Sequence, residues 1–182
     1  MAFPRITVPE SFDRFDERFE QLWKPLRRSP VLDRVFYTAS EVGDFGMVWL
    51  AIAAVQAAVG PAPKTRVALR LAAALGVESI LVNGGVKSLF RRDRPAWEQA
   101  RPISLRQPRT SSFPSGHSSS AVTAAILLSD TSSLVALPLY WTLAAIVATS
   151  RVHVKIHHGS DVVAGLAVGA LFGTLVKAVL PL

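Results

Sequence analysis

Three short stretches of the chain hold the side chains suited to chemistry on an oxyanion, at positions 87–95, 112–117 and 150–161. Together they offer cations for the oxyanion, two imidazoles for nucleophilic and acid catalysis, and a carboxylate that could orient one imidazole. The candidate site residues are Lys87, Arg94, Ser115, Gly116, His117, Arg151, His157 and Asp161. No cysteine and no acidic cluster accompanies them, so we expect neither a metal nor a cofactor at this site.

The elements that must position these residues are apolar helices. Five long apolar segments follow one another at 45–59, 67–86, 118–128, 134–149 and 162–180. Several are shorter than the roughly 20 residues that span a bilayer, and we extend them into flanking small or polar residues. The pattern predicts an all-α fold, a membrane helix bundle of about five spans. Counting the crossings puts the second-to-third and fourth-to-fifth connections on one side of the membrane, so the three reactive stretches can converge.

The first 43 residues have a different character. Apolar residues recur at helical spacing over Ser11 to Trp23 against a charged face, which predicts an amphipathic helix with Ser11 as its N-cap. This helix either lies on the membrane or docks on the bundle. A second helix is expected to begin at Pro30 and to end at Gly43. We therefore divide the chain into N-terminal interfacial helices, residues 1–43, and a transmembrane catalytic domain, residues 44–182.

Two features inside the apolar segments call for particular neighbours. Gly165, Gly169 and Gly173 form overlapping small-xxx-small patterns, the signature of close helix packing. We favour packing within one bundle, and a homodimer through these glycines is the alternative. Glu78 lies within the second segment, where a carboxylate in contact with lipid is costly, so it must face protein or water.

The composition excludes several classes of partner. Half of the 182 residues are hydrophobic and 18% are charged, with the charge concentrated between the apolar segments, so the lipid bilayer is the expected partner. A net charge of +7 could suit nucleic acid. The basic residues lie between apolar segments rather than on one face of a soluble fold, so we expect no nucleic-acid partner.

Taken in order, the three reactive stretches resemble the tripartite signature of the type 2 phosphatidic acid phosphatase (PAP2) family. The matched patterns are Lys-x6-Arg-Pro, Pro-Ser-Gly-His and Ser-Arg-x5-His-x3-Asp. The resemblance implies that His157 attacks phosphorus to form a phosphohistidine, that Asp161 fixes its tautomer, and that His117 protonates the leaving group. It also implies that Lys87, Arg94, Ser115, Gly116 and Arg151 bind the phosphate. Six nearby residues lie outside the pattern and are interpreted as having no role in the chemistry: Arg91, Arg92, Asp93, His153, Lys155 and His158.

The family resemblance implies a metal-independent phosphatase that acts on a membrane lipid phosphomonoester. One candidate substrate is a polyprenyl-phosphoryl phosphoribose, because small members that lack the first span resemble the phosphatases acting on that lipid. The nearest alternative is a polyprenyl pyrophosphate phosphatase with the same residues. An alternative of another class is a catalytically silent lipid-binding or scaffold protein. A vanadate-holding haloperoxidase would be expected to be soluble, which the apolar segments exclude.

The plasma membrane is the expected location, but two arguments disagree about the side on which the site opens. The family resemblance implies an extracytoplasmic site. Crossing counts put the N-terminus on the same side as the site, and six Lys and Arg residues lie between positions 14 and 34. By the positive-inside rule these residues tip the balance slightly toward a site that faces the cytoplasm.

Overall fold

The computed structural model describes residues 6–7, 9–96, 105–106 and 108–182. Its helices are α1 (Ser11–Trp23), α2 (Pro30–Val42), α3 (Met47–Val59), α4 (Ala62–Ser79), the three-residue α5 (Lys87–Leu89), α6 (Gly116–Ser129), α7 (Ala136–His153) and α8 (Gly159–Val179). A π-helix, Ile80–Val86, joins α4 to α5, and 3₁₀ helices occupy Lys24–Arg28 and Asp44–Gly46. Two-residue strands β1 (Ile6–Thr7) and β2 (Phe90–Arg91) pair in parallel. The prediction of an all-α bundle is confirmed.

Helix α6 forms the centre of the bundle and packs against α4, α7 and α8. Its first turns are polar, yet Ser118, Ser119, Ser120 and Thr123 are all buried there. The Thr123 hydroxyl donates a hydrogen bond to the Gly169 carbonyl at 3.1 Å. Polar side chains at membrane depth must find partners inside the protein. The protein interior, rather than lipid, therefore surrounds the start of α6.

The glycine stripe of α8 faces α6 of the same chain. A methyl group added at Gly165 would collide with the Ser115 carbonyl, and one added at Gly169 would collide with the Ser119 carbonyl. At Gly173 the added carbon would lie 3.2 Å from the Cα of Thr123. The stripe thus permits close packing within one bundle, as we favoured. It is covered by α6 and is not exposed for the alternative, a homodimer through these glycines.

Helices α2 and α3 meet at a bend of 66°. The Ser29 hydroxyl caps α2 by accepting a hydrogen bond from the Leu32 backbone at 3.4 Å, and α2 ends at Val42, next to Gly43, as predicted. Gly46 has φ +70, a left-handed conformation that glycine adopts without strain. The predicted cap at Ser11 is wrong, because Glu10 holds the N-cap position of α1 and no side chain caps that helix.

Among the described residues, two helical stretches are long and apolar enough to cross a membrane, Ala62–Leu89 and Gly159–Val179. The bent pair of α2 and α3 raises the number to three if it counts as one span. Helices α6 and α7 contain 14 and 18 residues, short of the roughly 20 that a span needs. The membrane character is confirmed, and the count of five spans stays a prediction.

Helix α1 docks on the bundle. Its Phe19 and Trp23 pack against a small apolar cluster of α7 and α8 that includes Val152 and Val162. Asp16, which the sequence pattern puts on the charged face, is buried. Of the two expected arrangements, contact with the rest of the protein is the one observed, and it brings α1 to the start of α8.

Candidate active site

A cavity of about 530 Å³ opens where the reactive stretches meet. Five of the predicted residues line it: Lys87, Gly116, His117, Arg151 and His157. The other three, Arg94, Ser115 and Asp161, lie behind this lining and contact it. The structure therefore brings all three sequence stretches to one place, as the crossing count predicted.

The predicted nucleophile, His157, lies between a carboxylate and a guanidinium. Its Nδ1 lies 3.4 Å from Oδ2 of Asp161, and its Nε2 lies 3.3 Å from Nη1 of Arg94. The 3.4 Å contact is at ion-pair distance but lacks good hydrogen-bond geometry. Because Arg94 can only donate, Nε2 must be unprotonated to accept from it, and the ring proton belongs on Nδ1, toward Asp161. This is the tautomer in which Nε2 can attack an electrophile.

Electrostatics keep His157 neutral. Burial lowers its pKa well below the ordinary value, and the positive charges of Arg151 and Arg94 lower it further. Asp161 opposes this shift without reversing it. At neutral pH the imidazole is therefore in the form that a nucleophile requires.

The two arginines are held in place by different partners. Arg94 donates to the backbone carbonyls of Ile156 at 2.9 Å, Pro108 at 3.2 Å and Thr110 at 3.1 Å. Arg151 is buried and donates to the side chain of Ser40 on α2. Both guanidinium groups are thus oriented before any ligand arrives, which is the condition for electrostatic catalysis without reorganisation.

Ser115 is the N-cap of α6 rather than part of the cavity lining. Its hydroxyl accepts hydrogen bonds from the Ser118 hydroxyl at 2.9 Å and the Ser118 backbone at 3.4 Å. Its backbone N–H donates to the Asp161 carbonyl at 2.9 Å. Gly116 does line the cavity, and a side chain there would meet the Asn83 amide oxygen at 3.1 Å. The helix start at Gly116 therefore presents its backbone to the cavity, an arrangement that suits an anion.

His117, the predicted acid, has a carboxylate partner that the sequence did not reveal. Its Nε2 lies 3.1 Å from Oδ1 of Asp44 and 3.1 Å from the Ser40 carbonyl. Both partners are acceptors, so Nε2 carries a proton. Asp44 is 73 positions away, in the bend between α2 and α3, and no motif spacing connects the two residues.

A π-helix separates Lys87 from Glu78, which lines the same cavity. At about 100° per residue, a regular α-helix would put Glu78 and Lys87 on opposite faces, since nine positions amount to about 900°. Both residues nevertheless line the same cavity. The wider turn over Ile80–Val86 changes the facing of everything after it, and such π-helical segments recur at functional sites.

Arg92 was interpreted as having no role in the chemistry, but it is not the solvated loop residue that this interpretation assumed. It donates to Oδ1 of Asp161 at 2.5 Å, to the Ser160 hydroxyl at 2.7 Å, and to Asp16 on α1. Asp16 in turn accepts from the Ser160 backbone at 2.7 Å. Two buried carboxylates therefore share one guanidinium, directly behind His157. The amphipathic pattern of α1 gave no signal that one of its acids would be buried.

The remaining neighbours are structural. His153 lies 2.8 Å from the Asp33 carboxylate and accepts from the Trp23 indole at 3.3 Å, which links α7 to the N-terminal helices. The His158 backbone donates to Asp161 at 2.9 Å and begins α8. Within residues 6–7, 9–96, 105–106 and 108–182, no group of three or more His, Cys, Asp or Glu is arranged to hold a metal ion.

Comparison with known proteins gives a consistent picture. A sequence profile described as the PAP2 superfamily matches residues 67–181. A decaprenylphosphoryl-5-phosphoribose phosphatase of Mycobacterium tuberculosis is 32% identical in an alignment of 157 residues that covers 84% of this chain and 85% of that protein. The protein of the same name from Mycolicibacterium smegmatis is 34% identical over 129 residues, 69% of this chain and 67% of the relative.

Two crystal structures share the fold. One is a transmembrane PAP2 type phosphatidylglycerolphosphate phosphatase from Bacillus subtilis, with a TM-score of 0.70 over 94% of this chain and 87% of that one. The other is LpxE of Aquifex aeolicus, with a TM-score of 0.68 over 87% of this chain and 93% of that one. Both are 24% identical to this chain, so the likeness is one of architecture.

Proposed function

Because this chain belongs to the PAP2 superfamily and is a lipid phosphate phosphatase of the membrane, we propose that its substrate is a polyprenyl-phosphoryl phosphoribose, from which it removes the 5-phosphate. The mycobacterial relatives named for this substrate class support the choice. One observation carries the catalytic part of the proposal. His157 faces Arg94 with one ring nitrogen and Asp161 with the other, at the wall of a cavity large enough for a sugar phosphate.

In the first half of the reaction, Nε2 of His157 attacks phosphorus. A bond forms between nitrogen and phosphorus while the bond from phosphorus to the ester oxygen breaks. His117 acts in this step as an imidazolium, whose positive charge the Asp44 carboxylate stabilises at 3.1 Å, and the leaving alkoxide takes one of its two ring protons. Asp161 stabilises the positive charge that grows on the imidazole. The products of this half are the dephosphorylated lipid and a phosphohistidine.

In the second half, water attacks the phosphorus of the phosphohistidine. His117, now a neutral imidazole, accepts a proton from that water, and the bond from phosphorus to nitrogen breaks. Inorganic phosphate leaves, and both histidines return to their starting protonation states. Throughout, Lys87, Arg94 and Arg151 neutralise the charge spread over the phosphoryl oxygens, which is the dominant task in phosphoryl transfer.

A polyprenyl pyrophosphate is the second candidate substrate. Arg106 and Arg109 line the cavity in addition to the predicted cations, so a second anionic group next to the scissile phosphate would be accommodated. The pyrophosphate carries this group directly on the scissile phosphate, whereas the ribose lipid carries its phosphodiester on the other side of the sugar ring. The choice between them is made by measuring kcat/KM for phosphate release from short-chain versions of each, with phosphatidic acid as a third lipid. We expect the phosphoribose lipid to have the highest value.

The histidine mechanism has its own test. We expect His157→Ala to abolish phosphate release. The purified protein should keep its elution volume and melting temperature, because the side chain lines the cavity. Rapid quench of the wild-type enzyme should capture a phosphoenzyme that is labile to acid and stable to base. Substantial turnover by His157→Ala would rule out this residue as the nucleophile.

We also propose that the protein lies in the plasma membrane with its site open to the cytoplasm. The contact of α1 with the start of α8 supports the premise that the N-terminal segment and the site share one compartment. Five basic residues of that segment are exposed: Arg14, Arg18, Lys24, Arg28 and Arg34. Exposed Lys and Arg next to membrane helices favour the cytoplasmic side.

A further inference from the structure

Glu78 is a buried carboxylate that the proposed mechanism does not use. It lies on α4, its side chain lines the cavity, and only 2% of the residue is exposed. Its Oε1 atom is buried and makes no hydrogen bond within the part of the chain that the structure describes. The Ser119 hydroxyl faces the carboxyl group without good hydrogen-bond geometry, and the charge of Lys87 acts on the same group. An acceptor left this poorly satisfied at membrane depth is costly, and such residues mark functional sites.

The wall around Glu78 is polar. Ser79, Asn83 and Ser120 line the cavity beside it. The Asn83 amide donates to the Ser79 hydroxyl at 3.1 Å, and the same amide group abuts Gly116, where α6 begins. A carboxylate, an amide and two hydroxyls therefore form one side of the cavity, continuous with the end that is lined by Lys87 and Gly116.

The chemistry of this wall selects its ligand. A carboxyl group keeps an acceptor oxygen whether or not it is ionised, so a hydrogen-bond donor is the ligand group that suits it better than a phosphate. Hydroxyl groups are the donors that an uncharged, hydrophilic part of a lipid headgroup offers, and the two oxygens of one carboxylate can accept from two adjacent hydroxyls. The amide and hydroxyls beside it can both donate and accept, which completes a set suited to a sugar ring.

We propose that Glu78 is a specificity-determining residue that accepts hydrogen bonds from the sugar hydroxyls next to the scissile phosphate. This inference rests on the proposed phosphoribose substrate and names the residue that recognises its ribose. Lys87 and Glu78 then bind consecutive parts of one headgroup, the phosphate and the ring. The π-helix between α4 and α5 is what lets both side chains serve the same cavity.

The test compares substrates that differ by one hydroxyl. The probes are a short-chain prenyl-phosphoryl 5-phosphoribose, its 2-deoxy and 3-deoxy analogues, and phosphatidic acid. For the wild-type enzyme, we expect loss of a hydroxyl that Glu78 binds to lower kcat/KM on the order of ten- to a hundredfold, the range for a hydrogen bond to a charged group. In Glu78→Ala this discrimination should collapse to within about threefold, because the deleted hydroxyl no longer has its partner.

Two further variants make the result decisive. Glu78→Gln has the same shape and keeps one acceptor, so it serves where Glu78→Ala fails to fold, and its discrimination should fall between the other two. Glu41→Ala removes an exposed carboxylate from α2 and should retain wild-type discrimination. Each variant is first checked for wild-type elution volume in detergent.

The outcomes separate this inference from the proposed function. If wild type hydrolyses phosphatidic acid but not the ribose lipid, the proposed substrate fails and the inference fails with it. If the ribose lipid is the best substrate but the Glu78 variants keep full discrimination against both deoxy analogues, only the inference fails. An equal loss of kcat/KM on every substrate would also overturn it, since that pattern indicates a structural role.

Discussion

Arg92 offers the sharpest test of how the site is held together. Its guanidinium lies between Asp161, which faces the predicted nucleophile, and Asp16, which belongs to the N-terminal helix α1. The side chains of the three residues are at most 9% exposed. Replacing Arg92 by Gln removes the shared positive charge and leaves two buried carboxylates close together without it.

The size of the effect follows from that burial. Removing one partner of a buried ion pair costs about 3–5 kcal/mol, because the remaining charge stays buried and unpaired. At about 2–4 °C per kcal/mol for a protein of this size, the melting temperature should fall by about 6–20 °C. Since Asp161 loses its ion pair with Arg92 and is no longer fixed in position, kcat should fall on the order of ten- to a hundredfold. Arg92 is not part of the cavity lining, so KM should change little.

Arg91→Gln is the matched control, because it makes the same change one position away, at an exposed side chain. Both variants are purified in the same detergent, and melting temperature, kcat and KM are measured for each. Arg92→Lys keeps the charge but not the forked geometry that engages two acids, so it should recover part of both losses. If Arg92→Gln melts and turns over like Arg91→Gln, the network does not position Asp161.

Three other predictions concern protonation, metal and sidedness. The acid limb of the kcat/KM profile should lie below pH 6.5, because only unprotonated His157 attacks and its pKa is lowered. Arg151→Gln removes a charge that lowers this pKa, so the acid limb should move to higher pH on the same substrate. An acid limb that does not move would contradict the assignment of His157. Activity should survive EDTA and be inhibited by vanadate at the phosphate site; loss on chelation with recovery on adding Mg²⁺ would exclude the mechanism. A cysteine at the exposed Thr110 should react with an impermeant maleimide only after lysis of intact cells, whereas strong labelling before lysis would put the site outside the cytoplasm.

Much of the site could be predicted because its residues lie at the ends of apolar segments. The short separation of His157 and Asp161 brings the two side chains together, although His157 precedes the first residue of α8 and the expected helical turn does not join them. The count of five crossings, which stays a prediction, puts their loop on the same side of the membrane as Lys87. Neither argument needs tertiary detail, and the convergence of the three stretches is confirmed by the cavity they line.

The partners of these residues could not be predicted in the same way. Asp16, Ser40 and Asp44 come from the first quarter of the chain and contact residues more than 70 positions away. Arg91 and Arg92 are identical in type and adjacent in sequence, yet only the second is turned toward the bundle. Such distinctions depend on how α1 and α2 pack against the bundle, and this packing produces no residue spacing that could be recognised in the sequence.

The contribution of the N-terminal helices bears on what counts as the unit of activity. The family profile begins at residue 67, yet Ser40 holds Arg151, Asp44 faces His117, and Asp16 reaches Asp161 through Arg92. The range that the family profile matches therefore leaves out residues that position the predicted catalytic side chains. A chimera that joins residues 67–181 to the N-terminus of another family member would carry every signature residue and still lack their supports. Grafting or trimming this enzyme should respect the contacts of α1 and α2 rather than the borders of the motif.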